Sequence, residues 1–113
     1  MTILWHKRAA DALHQVEEYV LCAFGEKVRF EFMNEIENAV LALADNPTIG
    51  RVDPLFAHRK QEYRSIIVRK LNKIVYYVKD DAIHIAAFWD TRREPKNQAT
   101  DRVRMNLRIR EPA

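Results

Sequence analysis

The chain has 113 residues, enough for one hydrophobic core and too few for two. No stretch approaches the roughly 20 consecutive apolar residues of a membrane-spanning helix, which argues against a membrane protein. The N-terminus lacks the pattern of a secretory signal, and the single cysteine, Cys22, cannot form an internal disulfide, so we expect a cytoplasmic protein.

Charge is divided unevenly along the chain. Residues 1–50 carry four Lys or Arg against eight Asp or Glu, a net charge of −4, whereas residues 51–95 carry ten against six and residues 96–113 carry five against two. A small domain with an acidic front half and a basic back half presents one cationic side. This favours an anionic partner, either nucleic acid or an acidic protein, although solvated surface charge would give the same count.

The first half of the chain predicts a short strand and two helices. Residues 1–5 are β-prone, and apolar residues then recur at steps of three and four until Gly25 and again until Asn46-Pro47. Two helices joined by so short a turn form an antiparallel hairpin. The predicted apolar stripes are Ala9, Leu13, Val16, Val20 and Phe24, followed by Val28, Phe32, Ile36, Ala39, Val40 and Leu43.

The second half predicts a loop over residues 46–60 and then three β-rich strands, 63–69, 73–79 and 82–89. Turns at 70–72 and at Asp80-Asp81 join them into an antiparallel meander. Ile74, Tyr76 and Val78 should face one side of the middle strand, and Val75 and Tyr77 the other. In the last strand we expect Ile83, Ile85, Ala87 and Trp89 on one face and His84, Ala86, Phe88 and Asp90 on the other.

The fold class is therefore predicted as α+β, with an N-terminal short strand and an antiparallel helical hairpin packed on a C-terminal meander. The expected core includes Val16, Val20, Phe32, Ile36, Val40, Val75, Ile83 and Ile85. Residues 1–95 form the single domain, and residues 96–113 form a basic tail whose sparse apolar residues are compatible with disorder, an edge strand or a short helix. Disorder in the isolated chain is the favoured reading of the three.

The sequence contains no pattern typical of a metal site, a catalytic nucleophile or a phosphate-binding loop. The four histidines and Cys22 show no HxH, HxxxH or CxxC spacing, so we expect no metal site. No nucleophile signature is present, and two glycines cannot supply a phosphate-binding loop, so we expect no cofactor. A lone cysteine such as Cys22 is more often a packing residue than a catalytic nucleophile.

A cluster of cations on the sheet is the remaining candidate. Arg64 and Arg69 fall on the first meander strand, Lys73 opens the second, and Arg92 and Arg93 follow the last. Arginine forks bind phosphate, and a lysine with a depressed pKa can transfer protons. A purely structural alternative pairs Arg64 with an acidic residue of the helices.

The segments YRSIIV (63–68), KIVYYVKDD (73–81), IHI (83–85) and DTRREP (90–95) occur in this order after a helical hairpin. In this arrangement the chain resembles the RelE/ParE superfamily of bacterial type II toxins over roughly residues 1–95. The resemblance implies a toxin of a toxin–antitoxin system and a cognate antitoxin that covers its basic surface.

The superfamily resemblance implies two alternative activities. In a RelE-like, ribosome-dependent mRNA endonuclease, Lys73 and Arg92 would be catalytic and Lys60 would replace the loop lysines. Such enzymes usually add a C-terminal aromatic residue or histidine, and residues 93–113 contain no Tyr or His. A ParE-like poison of DNA gyrase needs only a binding surface, for which Lys60, Arg64, Arg69, Arg92 and Arg93 are the candidates.

We therefore favour the ParE-like function. A non-toxic RNA-binding or protein-interaction module on the same fold remains the competing class, because fold does not determine function.

Overall fold

The structure, a computed structural model, describes residues 1–54 and 60–91; Arg92, Arg93 and the tail 96–113 lie outside this part. Within these described residues, two helices and five strands follow one another. They are β1 (Thr2–Trp5), α1 (Lys7–Phe24), α2 (Glu26–Asp45), β2 (Arg51–Val52), β3 (Arg64–Val68), β4 (Asn72–Lys79) and β5 (Ala82–Asp90).

The five strands form one mixed sheet in the order β1-β5-β4-β3-β2. The predicted meander β3-β4-β5 is antiparallel, whereas β1 lies parallel to β5, with Thr2 opposite Ala82 and Trp5 opposite Ile85. The two-residue strand β2 pairs with β3 inside the segment predicted as a loop. The α+β class is thus confirmed, and the sheet has two edges, β1 and β2.

The helices form the predicted hairpin around a single residue. Gly25 has φ +93, a left-handed value that favours glycine, and it lets α2 begin directly after α1 ends. Arg29 of α2 donates to Glu17 of α1 at 2.7 Å, and this contact links the two helices near the turn. Arg29 also binds Glu26 of its own helix.

Both helices lie on one face of the sheet, where the main core forms. All eight predicted core residues are buried; seven lie in this core, and Val75 lies in a smaller cluster on the opposite face with Tyr63, Ala86 and Ala87. We call that opposite side the back face. The prediction that Phe24 continues the α1 stripe into the core is wrong, because its side chain is 58% exposed at the end of the helix.

One extra residue in β5 changes which side chains face the helices. Tyr76 pairs with Ile85 but Val75 pairs with Ala87, so Ala86 is inserted as a β-bulge. Beyond the bulge, Phe88 joins Ile83 and Ile85 in the main core, while Ala87 and Trp89 face the back. The predicted uninterrupted alternation of β5 is therefore wrong after Ile85, whereas the predicted alternation of β4 is confirmed.

The two tight turns contain non-glycine residues in left-handed conformations. Arg69 and Lys70 have φ 57 and 66, and Asp80 and Asp81 have φ 53 and 60. Arg69 thus belongs to the turn and not to the strand, and Asn72, predicted in the turn, begins β4. Neither helix in the described part of the chain is long and apolar enough to cross a membrane.

Candidate partner-binding surfaces

Lys73, the predicted proton-transfer residue, is held in a buried ion pair. Its ammonium lies 3.1 Å from Asp53 Oδ2, and the side chains are 12% and 2% exposed. The ammonium also stands 5.3 Å from the centre of the Trp89 ring, which can stabilise a cation. Asp53 reaches this position from the loop after β2, so the pair fixes that loop on the back face.

Arg64 is also tied to its neighbours. Its Nη1 donates to the carbonyl of Gly50 at 2.7 Å, and its Nη2 donates to Glu62 at 3.1 Å. Because Arg64 pairs with Tyr76 across β3 and β4, it shares a face with the main core and not with Lys73. Its acidic partner comes from the segment before β3 and not from a helix.

Arg69 makes the contact with a helix. Its Nε lies 3.1 Å from Glu35 of α2, and both side chains are partly exposed. Lys60 is exposed just after the undescribed segment 55–59. The structure therefore does not gather Arg64, Arg69 and Lys73 into one cluster, since they occupy the helix-side face of β3, a turn and the back face.

A cleft of about 240 Å³ opens where β5 ends, between the helical hairpin and the sheet. We call it the exit cleft. Its apolar wall is formed by helix residues, and its polar end by residues of the β3–β4 turn and the ends of β4 and β5. The lining residues are Val16, Val20, Phe24, Val28, Phe32, Arg69, Leu71, Asn72 and Asp90.

The polar end of the exit cleft contains an unsatisfied acceptor. Asn72 is 4% exposed, and its Oδ1 has no hydrogen-bond partner among the described residues. Asp90, opposite it in the sheet, is 9% exposed. Thr91 then closes the strand end, with its N–H and hydroxyl both donating to Leu71 O at 2.7 and 2.9 Å. A buried acceptor of this kind favours a ligand that brings an N–H or O–H group.

Histidines and tyrosines form a second cluster, on the back face. The rings of Tyr77 and His84 stack with centroids 4.6 Å apart, and the Tyr77 hydroxyl lies 3.2 Å from His6 Nε2. Burial and the neighbouring His84 lower the pKa of His6, and burial raises the pKa of Tyr77. These shifts favour the neutral forms of both side chains.

This cluster was not predicted from the sequence. The signal was available, because a two-residue turn at Asp80-Asp81 places Tyr77 opposite His84. Within residues 1–54 and 60–91, no group of three or more His, Cys, Asp or Glu side chains could hold a metal ion.

Comparison with known proteins identifies the family. Residues 3–95 match the family described as the ParE toxin of type II toxin-antitoxin system, parDE. The chain belongs to the ParE toxin family. The match begins in β1 and extends to residue 95, so it includes both helices and all of the described sheet except Thr2.

A solved structure agrees with the ParE fold. One chain of the chromosomal ParDE TA system from P. aeruginosa is similar with a TM-score of 0.64 and 18% sequence identity, over 80% of this chain and 95% of that chain. No curated protein matches the sequence. At this identity the structural similarity establishes the fold of this ParE family member and no more.

Proposed function

We propose that this ParE family member is a toxin that binds and poisons DNA gyrase and is neutralised by a tightly bound antitoxin. The observation that carries binding over RNA cleavage is the buried pairing of Lys73 with Asp53. A group that moves protons during phosphodiester cleavage has to reach the reacting atoms. An ion-paired ammonium on a side chain that is only 12% exposed is not presented to a substrate in this way.

The exit cleft supports a protein partner. It combines an apolar wall, the exposed ring of Phe24 and a few polar groups at one end. Protein interfaces have this composition, with an apolar centre and a small number of directed hydrogen bonds. The cleft also adjoins Thr91, the residue that precedes Arg92 and Arg93 in the sequence. We call these two arginines the basic tip and propose that the tip and the cleft bind the same partner.

The proposal assigns Arg92 and Arg93 to target binding and Lys60 to the same basic side. It places the protein in the cytoplasm, where gyrase acts. The antitoxin is expected to be acidic where it covers residues 51–95, which carry a net charge of +4.

The decisive experiment compares two kinds of damage caused by the purified chain. We expect it to inhibit supercoiling by purified gyrase and to stabilise double-strand breaks in plasmid DNA. We expect no cleavage of mRNA in a reconstituted translation reaction. Cleavage of translated mRNA with gyrase unaffected would reject the proposal in favour of the nuclease.

A pair of double variants tests the basic tip. Arg92→Ala with Arg93→Ala should relieve growth arrest and gyrase inhibition. Arg104→Ala with Arg108→Ala removes the same charge from the tail and is the matched control. Equal loss in both variants would show that net charge, and not the tip, is responsible.

A further inference from the structure

The outer edge of β1 carries backbone groups that no described strand pairs. β1 is the first strand in the sheet order, and the N–H of His6 donates to Ile85 O of β5 at 2.9 Å. Alternate residues of a strand direct their N–H groups to opposite sides. The N–H groups of Leu4 and His6 therefore point to β5, and those of Ile3 and Trp5 point outward. Open edges of this kind bind further strands.

An apolar cleft lies directly beside this edge. It measures about 380 Å³ and lies beneath α2, and we call it the edge cleft. The side chains of Ile3 and Trp5 form its floor, Met33 and Leu41 belong to its wall, and Glu37 is its only charged residue among those described. A strand added to β1 would direct every second side chain into this cleft.

The C-terminal tail has the sequence of such a strand. Residues 103–110 read VRMNLRIR, so Val103, Met105, Leu107 and Ile109 alternate strictly with polar or basic residues. Strict alternation is typical of a strand with one buried face. Among the described strands, only β5 pairs with β1, so the outer edge of β1 is open to a further strand.

We propose that residues 103–109 dock on β1 of the same molecule as an antiparallel sixth strand, with alternate apolar side chains in the edge cleft. The tail follows β5, which is the neighbour of β1, whereas the other sheet edge lies beyond β4 and β3. A tail that returns from the end of β5 runs antiparallel to β5 and therefore to β1.

The chain is long enough to make this connection. Thr91 lies six residues beyond Ile85, the partner of Trp5, a distance of about 20 Å along a strand. Residues 92–101 can span up to about 33 Å. Covalent attachment also gives the tail an effective concentration on the order of millimolar, which favours it over a free peptide.

Amide hydrogen exchange of the full chain tests the proposal without reference to toxicity. Leu107→Asp places a charge on the face that enters the cleft, and Asn106→Asp adds the same charge on the opposite face. We expect exchange at Ile3 and Trp5 to accelerate about tenfold or more in Leu107→Asp and to change less than about twofold in Asn106→Asp. The inward amides of Leu4 and His6 should stay protected in both variants.

Equal exchange at Ile3 and Trp5 in the wild type and in Leu107→Asp would overturn the proposal. A second measurement locates the tail directly. A nitroxide attached to Arg110→Cys, in a chain that also carries Cys22→Ser, should broaden the resonances of β1 and Met33 more than those of Arg51 and Val52. Equal broadening in a mixture that carries the nitroxide and the isotope label on different molecules would reject docking within one molecule, and broadening centred on β2 would reject the site.

Discussion

The hydroxyl of Tyr76 and the backbone N–H of Gly50 form a buried hydrogen bond of 3.0 Å that ties the segment after α2 to the centre of the sheet. The same hydroxyl donates to Pro47 O at 2.7 Å, and burial raises the pKa of Tyr76. A Cβ on Gly50 would lie 2.6 Å from this hydroxyl oxygen and 2.9 Å from Ser65 O. Glycine is therefore required for this close approach.

Tyr76→Phe should lower the free energy of unfolding by about 2 kcal/mol, because it leaves a buried N–H and a carbonyl without their partner. Urea denaturation measures the change. Tyr19→Phe is the control, since Tyr19 is 45% exposed on α1, and we expect a change below about 0.5 kcal/mol. Similar losses in both variants would contradict the role of the buried hydroxyl.

Lys73→Met should cost about 3 kcal/mol, because it leaves the carboxylate of Asp53 buried without its cation. Adding Asp53→Asn should recover part of this loss. Arg69→Met breaks the more exposed pair with Glu35 and should cost less than about 1 kcal/mol. If the two single variants were equally stable, the burial of the Lys73–Asp53 pair would be without energetic effect.

Acidification should destabilise the protein through His6. Its pKa in the folded state is lowered from the ordinary value of 6.5 by burial and by His84. The unfolded chain therefore binds more protons, so the free energy of unfolding falls as the pH drops through 6.5 towards the lower folded pKa. His6→Gln should flatten this slope between pH 7.5 and 5, and His14→Gln, on the exposed side of α1, should leave it steep. Thermal unfolding across this pH range provides the measurement.

Asp80→Asn with Asp81→Gly should stabilise the protein by about 1 kcal/mol. Both residues have positive φ in a two-residue hairpin turn, for which Asn-Gly is preferred. The same pair of substitutions at the C-terminal end of α2, Asp45→Asn with Asn46→Gly, should bring no comparable gain, because neither residue has positive φ. A loss of stability in the turn variant would mean that the two carboxylates contribute contacts beyond the turn.

Helices and strands with a regular apolar period could be predicted from the sequence, whereas the points where that period is broken could not. The stripes of α1 and α2 and the alternation of β4 follow from side-chain geometry alone, which is why all eight proposed core residues are buried. The residues on both sides of the bulge at Ala86 are equally apolar. The sequence therefore contains no sign that the alternation shifts there and that Phe88 faces the helices. Phe24 follows the helical period but is exposed, because it is the last residue of α1 and lines the open exit cleft.

The candidate site was harder to predict than the fold. The sequence correctly predicted Arg64 and Lys73 on adjacent strands. Arg64 lies opposite Tyr76, however, and Tyr76 is three residues from Lys73 on β4, so the two side chains point to opposite faces of the sheet. The partner of Lys73 comes from a loop without periodicity, so the Asp53 contact had no local signal. Whether Arg92, Arg93 and Lys60 bind the target stays a prediction.

The pairing of β1 with β5 has a consequence for how the chain is made. Thr2 lies opposite Ala82, eighty positions later in the sequence. The helical hairpin depends on local contacts and can form early, whereas β1 has no partner until β5 has emerged from the ribosome. A polypeptide released before Ala82 would lack β5, so β1 could not join the sheet.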